Sequence, residues 1–186
     1  YFNRMSDGIP HGWIEYVRES MKTLIAQYSS GRMVSDYVKD YYQPAAERNS
    51  ELVEDDMALA RRLAAWKSTV GGRFGTVKIK EIMISGVDNE QQMLLNQDIT
   101  AQITVYCGEM RPDELLVQLV VGAGDNDFAS MPHIVNLTSV DSTVNGTVYK
   151  GKYKINDEGK HVYGVRVFPV TKGLASPLDT QLVLWG

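Results

Sequence analysis

The stretch VGGRFGTVKIKEIMIS, residues 70–85, is where the sequence changes its period. Upstream, apolar residues recur at steps of three and four, the spacing of one helical face. Downstream they recur at every second position, the spacing of one strand face. Gly71-Gly72 is expected to stop the last helix, and Val77 to Ser85 to open the first strand. Alternation slips near Glu81, which predicts a bulge.

Reading back from this point gives three helices. Pro10 stands near a helix start, and Trp13, Ile14, Val17, Met21, Leu24, Ile25 and Tyr28 then form one apolar stripe. Ser29 or Ser30 can cap a second helix with the stripe Met33, Val34, Tyr37, Val38 and Tyr41. Pro44 should end or kink it, since proline lacks an amide and crowds the preceding turn. Asp55-Asp56 suits the N-terminus of a third helix, whose inner face would be Leu59, Leu63, Trp66 and Val70.

Reading forward gives short strands. Ile99, Ala101, Ile103, Val105 and Cys107 alternate with polar neighbours, as do Leu115, Val117, Leu119, Val121 and Ala123. Leu116 and Val120 make the other face of that second run partly apolar. His133 to Val140 is a strand, and Asn145-Gly146 predicts a tight turn. Tyr149, Gly151, Tyr153 and Ile155 face one way; Lys150, Lys152 and Lys154 face the other. Asn156 to Lys160 is a turn, followed by Tyr163, Val165 and Val167, and Gln181 to Trp185 closes the chain. The expected fold is α+β: an N-terminal α-helical segment, residues 1–74, then an all-β immunoglobulin-like sandwich, residues 75–186.

Composition narrows the function. The 186 residues hold 19 basic and 23 acidic side chains, a net charge of -4. No basic face advertises nucleic acid or anionic lipid, and no apolar stretch has the length of a membrane span. Residues 1–74 balance at 10 basic and 10 acidic, so the acidic surplus lies in the strands. One cysteine, Cys107, excludes a disulfide scaffold; on an inward strand face it reads as a small buried hydrophobe. The start, Tyr1-Phe2-Asn3-Arg4, has no initiator Met and no export signal, so the sequence reads as a cytoplasmic piece of a longer chain.

Individual candidates carry little chemistry. His11, His133 and His161 fall in different elements without metal-ligand spacing, and read as surface or cap residues. Asp125-Asn126-Asp127 lacks the distal Glu of a calcium loop and reads as a turn. Asn136-Leu137-Thr138 and Asn145-Gly146-Thr147 match the glycosylation sequon, but no secretory signal accompanies them. The lysines at 150, 152 and 154 read as a solvated face protecting a sheet. No P-loop, dinucleotide fingerprint or nucleophile elbow is present.

Two stretches go further. The first runs Gly8-Ile9-Pro10-His11-Gly12-Trp13, Met21-Lys22, Ser30-Gly31-Arg32-Met33-Val34-Ser35-Asp36-Tyr37 and Tyr42-Gln43-Pro44-Ala45. The second is Tyr163-Gly164-Val165-Arg166-Val167-Phe168-Pro169, Ser176-Pro177-Leu178 and Leu184-Trp185, with Leu63-Ala64-Ala65-Trp66-Lys67 between the two. They resemble the final helices and the C-terminal β extension of the bacterial and archaeal α-glucan (glycogen/maltodextrin) phosphorylases. Ala26-Gln27-Tyr28-Ser29 departs from the family's usual Ala-Pro-Phe-Ser and alters a hinge between helices.

The resemblance implies a C-terminal fragment of a two-lobed GT-B glycosyltransferase. Such an enzyme cleaves α-1,4-glucans with inorganic phosphate to glucose 1-phosphate, using pyridoxal phosphate on a lysine. No lysine here sits in the family's Gly-rich cofactor motif. No catalytic, cofactor-binding or metal residue is therefore carried onto this chain, and the fragment is expected to be non-catalytic. Its expected partners are the upstream GT-B lobes and, through the N-terminal helices, a second copy of itself. Two other classes stay open: an oligomerisation domain, or a module that binds α-glucan through exposed aromatics, for which Phe128, Phe168 and Trp185 are the candidates.

Overall fold

A computed structural model describes residues 4–86, 98–123, 132–154 and 161–186. The chain divides into two compact units, residues 1–60 and 61–186. The second of these units holds the strands and takes in the end of the helical segment.

The first unit is helical. Helix α1 spans His11–Tyr28, and α2, Ser30–Tyr37, starts at the expected cap, where the Ser29 hydroxyl accepts the Arg32 amide at 3.2 Å. Pro44 does not end the path. A π-helical segment, Val38–Tyr42, leads into α3, Gln43–Phe74, and leaves the proline in the first turn of α3. The wider turn and the helix start both tolerate a missing amide. Helix α3 is itself broken at Glu54–Met57, where Asp55, Asp56 and Met57 have φ of 49°, 53° and 60°. That left-handed run costs on the order of 1–2 kcal/mol per residue and separates two right-handed segments. The third helix read from the sequence is the segment that resumes after it.

The second unit opens with the remainder of α3. Leu63, Val70 and Phe74 are buried, and Trp66 packs against the same core. Gly71-Gly72 does not stop the helix, which runs on to Phe74. Two mid-helix glycines cost about 1 kcal/mol each, and Phe74, one turn beyond Val70 on the same face, offsets this by burying a ring worth roughly 1.5–3 kcal/mol. The stop falls at Gly75-Thr76, where the Val77 amide turns back to the Phe74 carbonyl at 3.0 Å.

Among the described residues seven antiparallel strands follow: β1 Lys78–Ser85, β2 Asp98–Tyr106, β3 Leu115–Ala123, β4 His133–Thr143, β5 Gly146–Lys154, β6 His161–Pro169 and β7 Leu184–Trp185. They form one sheet of order β1-β2-β5-β4-β3-β6-β7. Strand β4 is longer than expected and serves two partners. Its first half pairs with β3, Val135 against Leu119, and its second with β5, Thr138 against Lys150. The sheet thereby folds over on itself. Ile99, Ala101, Ile103 and Val105 of β2 join Val117, Leu119 and Val121 of β3, and Val165 and Val167 of β6, in one core. The two free edges also approach, since a Cβ on Gly186, beside β7, would stand 2.7 Å from Ile79 of β1.

Local details follow the alternation. The register of β1 shifts between Ile79 and Glu81, the expected bulge, and that of β4 between Ser139 and Asp141. The β4–β5 turn is Val144-Asn145, one residue earlier than expected, with Gly146 at φ 140° just after it. A Cβ at Gly146 would lie 2.4 Å from the Val105 carbonyl, so only glycine fits where the hairpin passes β2. The lysines of β5 face outward and are exposed. Cys107 lies just past β2, partly buried against the core.

Val165 is fully buried among these rows. Val165→Asp is expected to cost on the order of 4 kcal/mol, because an unpaired carboxylate replaces a core methyl pair. Urea denaturation of the 186-residue chain checks this; an unchanged midpoint would mean that β6 faces the other way.

Candidate functional site

The residues singled out in the sequence do not converge. His11 Nε2 meets the Asp7 carboxylate at 2.7 Å at the start of α1, and this contact holds the Asp7 carboxyl below its usual range. His133 stacks with Tyr153, ring centroids 5.4 Å apart, and His161 is buried at the head of β6. Among the described residues no group of three or more His, Cys, Asp or Glu could hold a metal ion. Asp125-Asn126-Asp127 and Phe128 lie outside the described residues.

Phe168 and Trp185 do not form a sugar platform. Phe168 is buried, and the Arg166 guanidinium lies over both rings, 5.0 Å from Phe168 and 5.7 Å from Trp185. Arg166 Nε donates to Gln118 Oε1 at 2.8 Å, and Gln118 Nε2 donates to Asn136 Oδ1 at 2.8 Å. The result is a polar ladder across β6, β3 and β4. Burial lowers the Arg166 pKa, but the guanidinium stays charged. The one signal for this ladder in the sequence was Gln118, an amide within the apolar run of β3.

A second cluster ties α3 to the turn after β2. Arg73 grips Glu114 in bidentate fashion, at 2.7 and 3.3 Å, and also donates to the Glu109 carbonyl at 3.0 Å. Glu114 in turn accepts the Arg111 amide at 2.9 Å. The Arg73 hydrogen bond, helped by that amide, holds the Glu114 carboxyl below its usual range although burial opposes it. Nearby, the Tyr149 hydroxyl donates to the Pro112 carbonyl at 2.9 Å, and burial pushes its pKa up, so the donor is kept. These pairs lie some forty residues apart in sequence, which leaves no local pattern to find.

The most unusual surface belongs to the helical unit. No described residue between 4 and 60 is buried. On α1, Trp13, Val17, Met21 and Leu24 stand 38–55% exposed; Met33, Tyr37 and Tyr41 add an apolar row on the following segment. A shallow cavity of about 410 Å³ sits among Trp13, Tyr16, Val17, Ser20 and Met21. The two apolar stripes read from the sequence on these helices are therefore exposed. Among the described residues no helix is long and apolar enough to cross a membrane.

Comparison with known proteins gives these surfaces a context. A family model described as the glycogen phosphorylase C-terminal domain matches residues 75–186. The chain is 28% identical over 185 residues to the glycogen phosphorylases of Mycobacterium bovis and Mycobacterium tuberculosis, covering 98% of this chain and 21% of theirs. It is 24% identical over 180 residues to the maltodextrin phosphorylase of Thermococcus litoralis, covering 93% of this chain and 20% of that protein. The chain thus spans about a fifth of the length of the curated relatives it matches.

The Arg73–Glu114 pair gives a pH signature. The usual carboxyl value is 4.5, and the folded state lies below it. Its contribution is complete above the unfolded value and is lost as pH falls through the folded one. The stability gap between the parent and Glu114→Gln is expected to be widest near neutrality and to narrow as the pH falls below 4.5. Denaturation at several pH values measures it; a gap that stays constant would remove the pair from the stability of this junction.

Proposed function

Because the chain belongs to the glycogen phosphorylase C-terminal domain family, we propose that it is a non-catalytic scaffold part of an α-glucan phosphorylase. The whole protein would release glucose 1-phosphate from α-1,4-glucans with inorganic phosphate, on GT-B lobes upstream of this segment in the same polypeptide. The observation that carries the reading is the uncovered apolar row on α1 and α2. Each large side chain in it would gain roughly 1.5–3 kcal/mol on burial, and the helical unit has no interior of its own to supply that. Catalytic lobes seated on this row would cover it.

Pyridoxal phosphate would belong to those lobes. A Schiff-base lysine needs a desolvated site with donors around the cofactor phosphate. Every lysine among the described residues is exposed, from Lys22 on α1 to Lys172 after β6. The residues present do not fit the group. We further read the folded sheet as immunoglobulin-like: β1-β2-β5-β4 beside β3-β6-β7 has the strand order of a seven-strand immunoglobulin domain. An unpaired Cys107 suits a cytoplasmic setting.

Purified alone, the chain is expected to show no saturable pyridoxal phosphate absorbance and to release no glucose 1-phosphate from maltodextrin and phosphate. Either signal would overturn the scaffold reading.

Without the lobes, the same row should find a second copy, giving a two-fold dimer through the N-terminal helices. Sedimentation at micromolar concentration is expected to show a dimer for the parent and a monomer for the Val17→Glu, Tyr37→Glu double variant. A strictly monomeric parent would sink the self-association.

A further inference from the structure

On the outer face of the sheet, away from the core, β1, β2 and the β4–β5 hairpin enclose an open cleft of about 710 Å³. Its floor is Thr104 and Val148, and the half-exposed Tyr106 ring forms part of its lining. Two irregularities flank it: the bulge between Ile79 and Glu81 on β1, and the shift between Ser139 and Asp141 on β4. Bulges re-aim side chains, and the first of these brings both Lys80 and Glu81 to the cleft. Their charges cancel, so the wall is close to neutral. Lys80 Nζ rests 5.6 Å from the Tyr106 centroid, on a flexible stem that can swing off the ring.

The Thr143 hydroxyl is taken up by the Gly146 carbonyl and the Asn145 backbone amide, and three other polar groups are less committed. Among the described residues the Tyr106 hydroxyl and the Asn145 side-chain amide have no hydrogen-bond partner, and the Gln102 amide touches only the Met83 sulfur, at 3.8 Å. At the hairpin tip Val144 is fully exposed beside them. A half-exposed aromatic ring that only the movable Lys80 overlies, neutral amides and one apolar tip suit a ligand with apolar C–H faces and a rim of hydroxyls. Glu81 beside Lys80 leaves no net positive charge for an anion, and the open cleft gives no deep pocket to an apolar side chain.

We infer that this cleft binds a short α-1,4-linked glucose oligomer, with Tyr106 as the stacking ring and Gln102 and Asn145 as hydroxyl partners. A sugar fits the cleft by its own chemistry; the α-1,4 linkage rests on the phosphorylase reading. The cleft differs from the aromatics first considered, Phe128, Phe168 and Trp185, and shares no residue with them.

The test is a titration of the whole 186-residue chain with maltoheptaose, followed by tyrosine fluorescence and calorimetry. Cellohexaose and dextran sulfate are run beside it. Maltoheptaose is expected to bind, and Tyr106→Ala to weaken it by about tenfold or more. Gln102→Ala should weaken it several-fold. Both variants sit on the outer face, and an unchanged melting transition shows that they fold. No binding of maltoheptaose, binding indifferent to both variants, or equal or tighter binding of cellohexaose or dextran sulfate would overturn the inference. Catalysis plays no part in the readout, so a failure here is distinct from a failure of the scaffold reading, which rests on the helical face.

Discussion

A sheet with one apolar face must bury that face, and in residues 61–186 it does so against itself. Among its described residues seven strands carry alternating side chains, and no separate layer of helices covers all of them. β4 resolves the problem by leaving β3 midway and continuing beside β5, so that the rows of β2 meet the rows of β3 and β6. Packing at the fold-over is close: a Cβ at Gly151, on β5, would come 2.4 Å from a terminal methyl of Leu137 of β4, which would have to shift. The end of α3 then plugs the open end of the core with Val70 and Phe74, and the Arg73–Glu114 pair fixes that plug to the turn beyond β2.

The helical unit obeys the opposite logic. Its stripes are as regular as those of any core-forming helix, and its polar side is laced with close ion pairs such as Arg18–Glu15 and Arg32–Asp36. Such exposed pairs contribute little to stability. The glycogen phosphorylases that this chain resembles are about five times as long as the chain itself.

Periodicity made most of the strand unit legible. The rows of β2, β5 and β6 and the bulge near Glu81 could be read directly, because a period of two leaves little freedom once one face is buried. Two local signals misled for identifiable reasons. Gly71-Gly72 was weighed by propensity alone, and tertiary burial of Phe74 outweighed it. Phe168 looked like a surface aromatic because it sits outside the inward alternation of β6, yet both faces of that strand are covered near its end. What could not be read was anything joining distant residues: the Arg73–Glu114 pair, the Arg166–Gln118–Asn136 ladder, and the gathering of Lys80, Gln102 and Asn145 around Tyr106. The family motifs, by contrast, carried identity well: that on β6 lies where packing restricts the choice of residue, and those at the helix starts lie in the exposed helical unit.

The division of β4 between two partners also bears on how the unit assembles in time. β4 and β5 are joined by two residues and can pair within microseconds of meeting. The pairings that make the core, β2 with β5 and β3 with β6, join residues some forty to fifty positions apart, as in Ile103 with Tyr149 and Val117 with Val167. Closing such long loops costs entropy before any contact repays it, which places this unit among slow folders. The β4–β5 hairpin is then the natural seed: it presents one edge to β2 and the other, through the first half of β4, to β3. β7 pairs with β6 near Trp185, the last strand in chain order, so during synthesis the sheet waits with an open edge until that segment emerges.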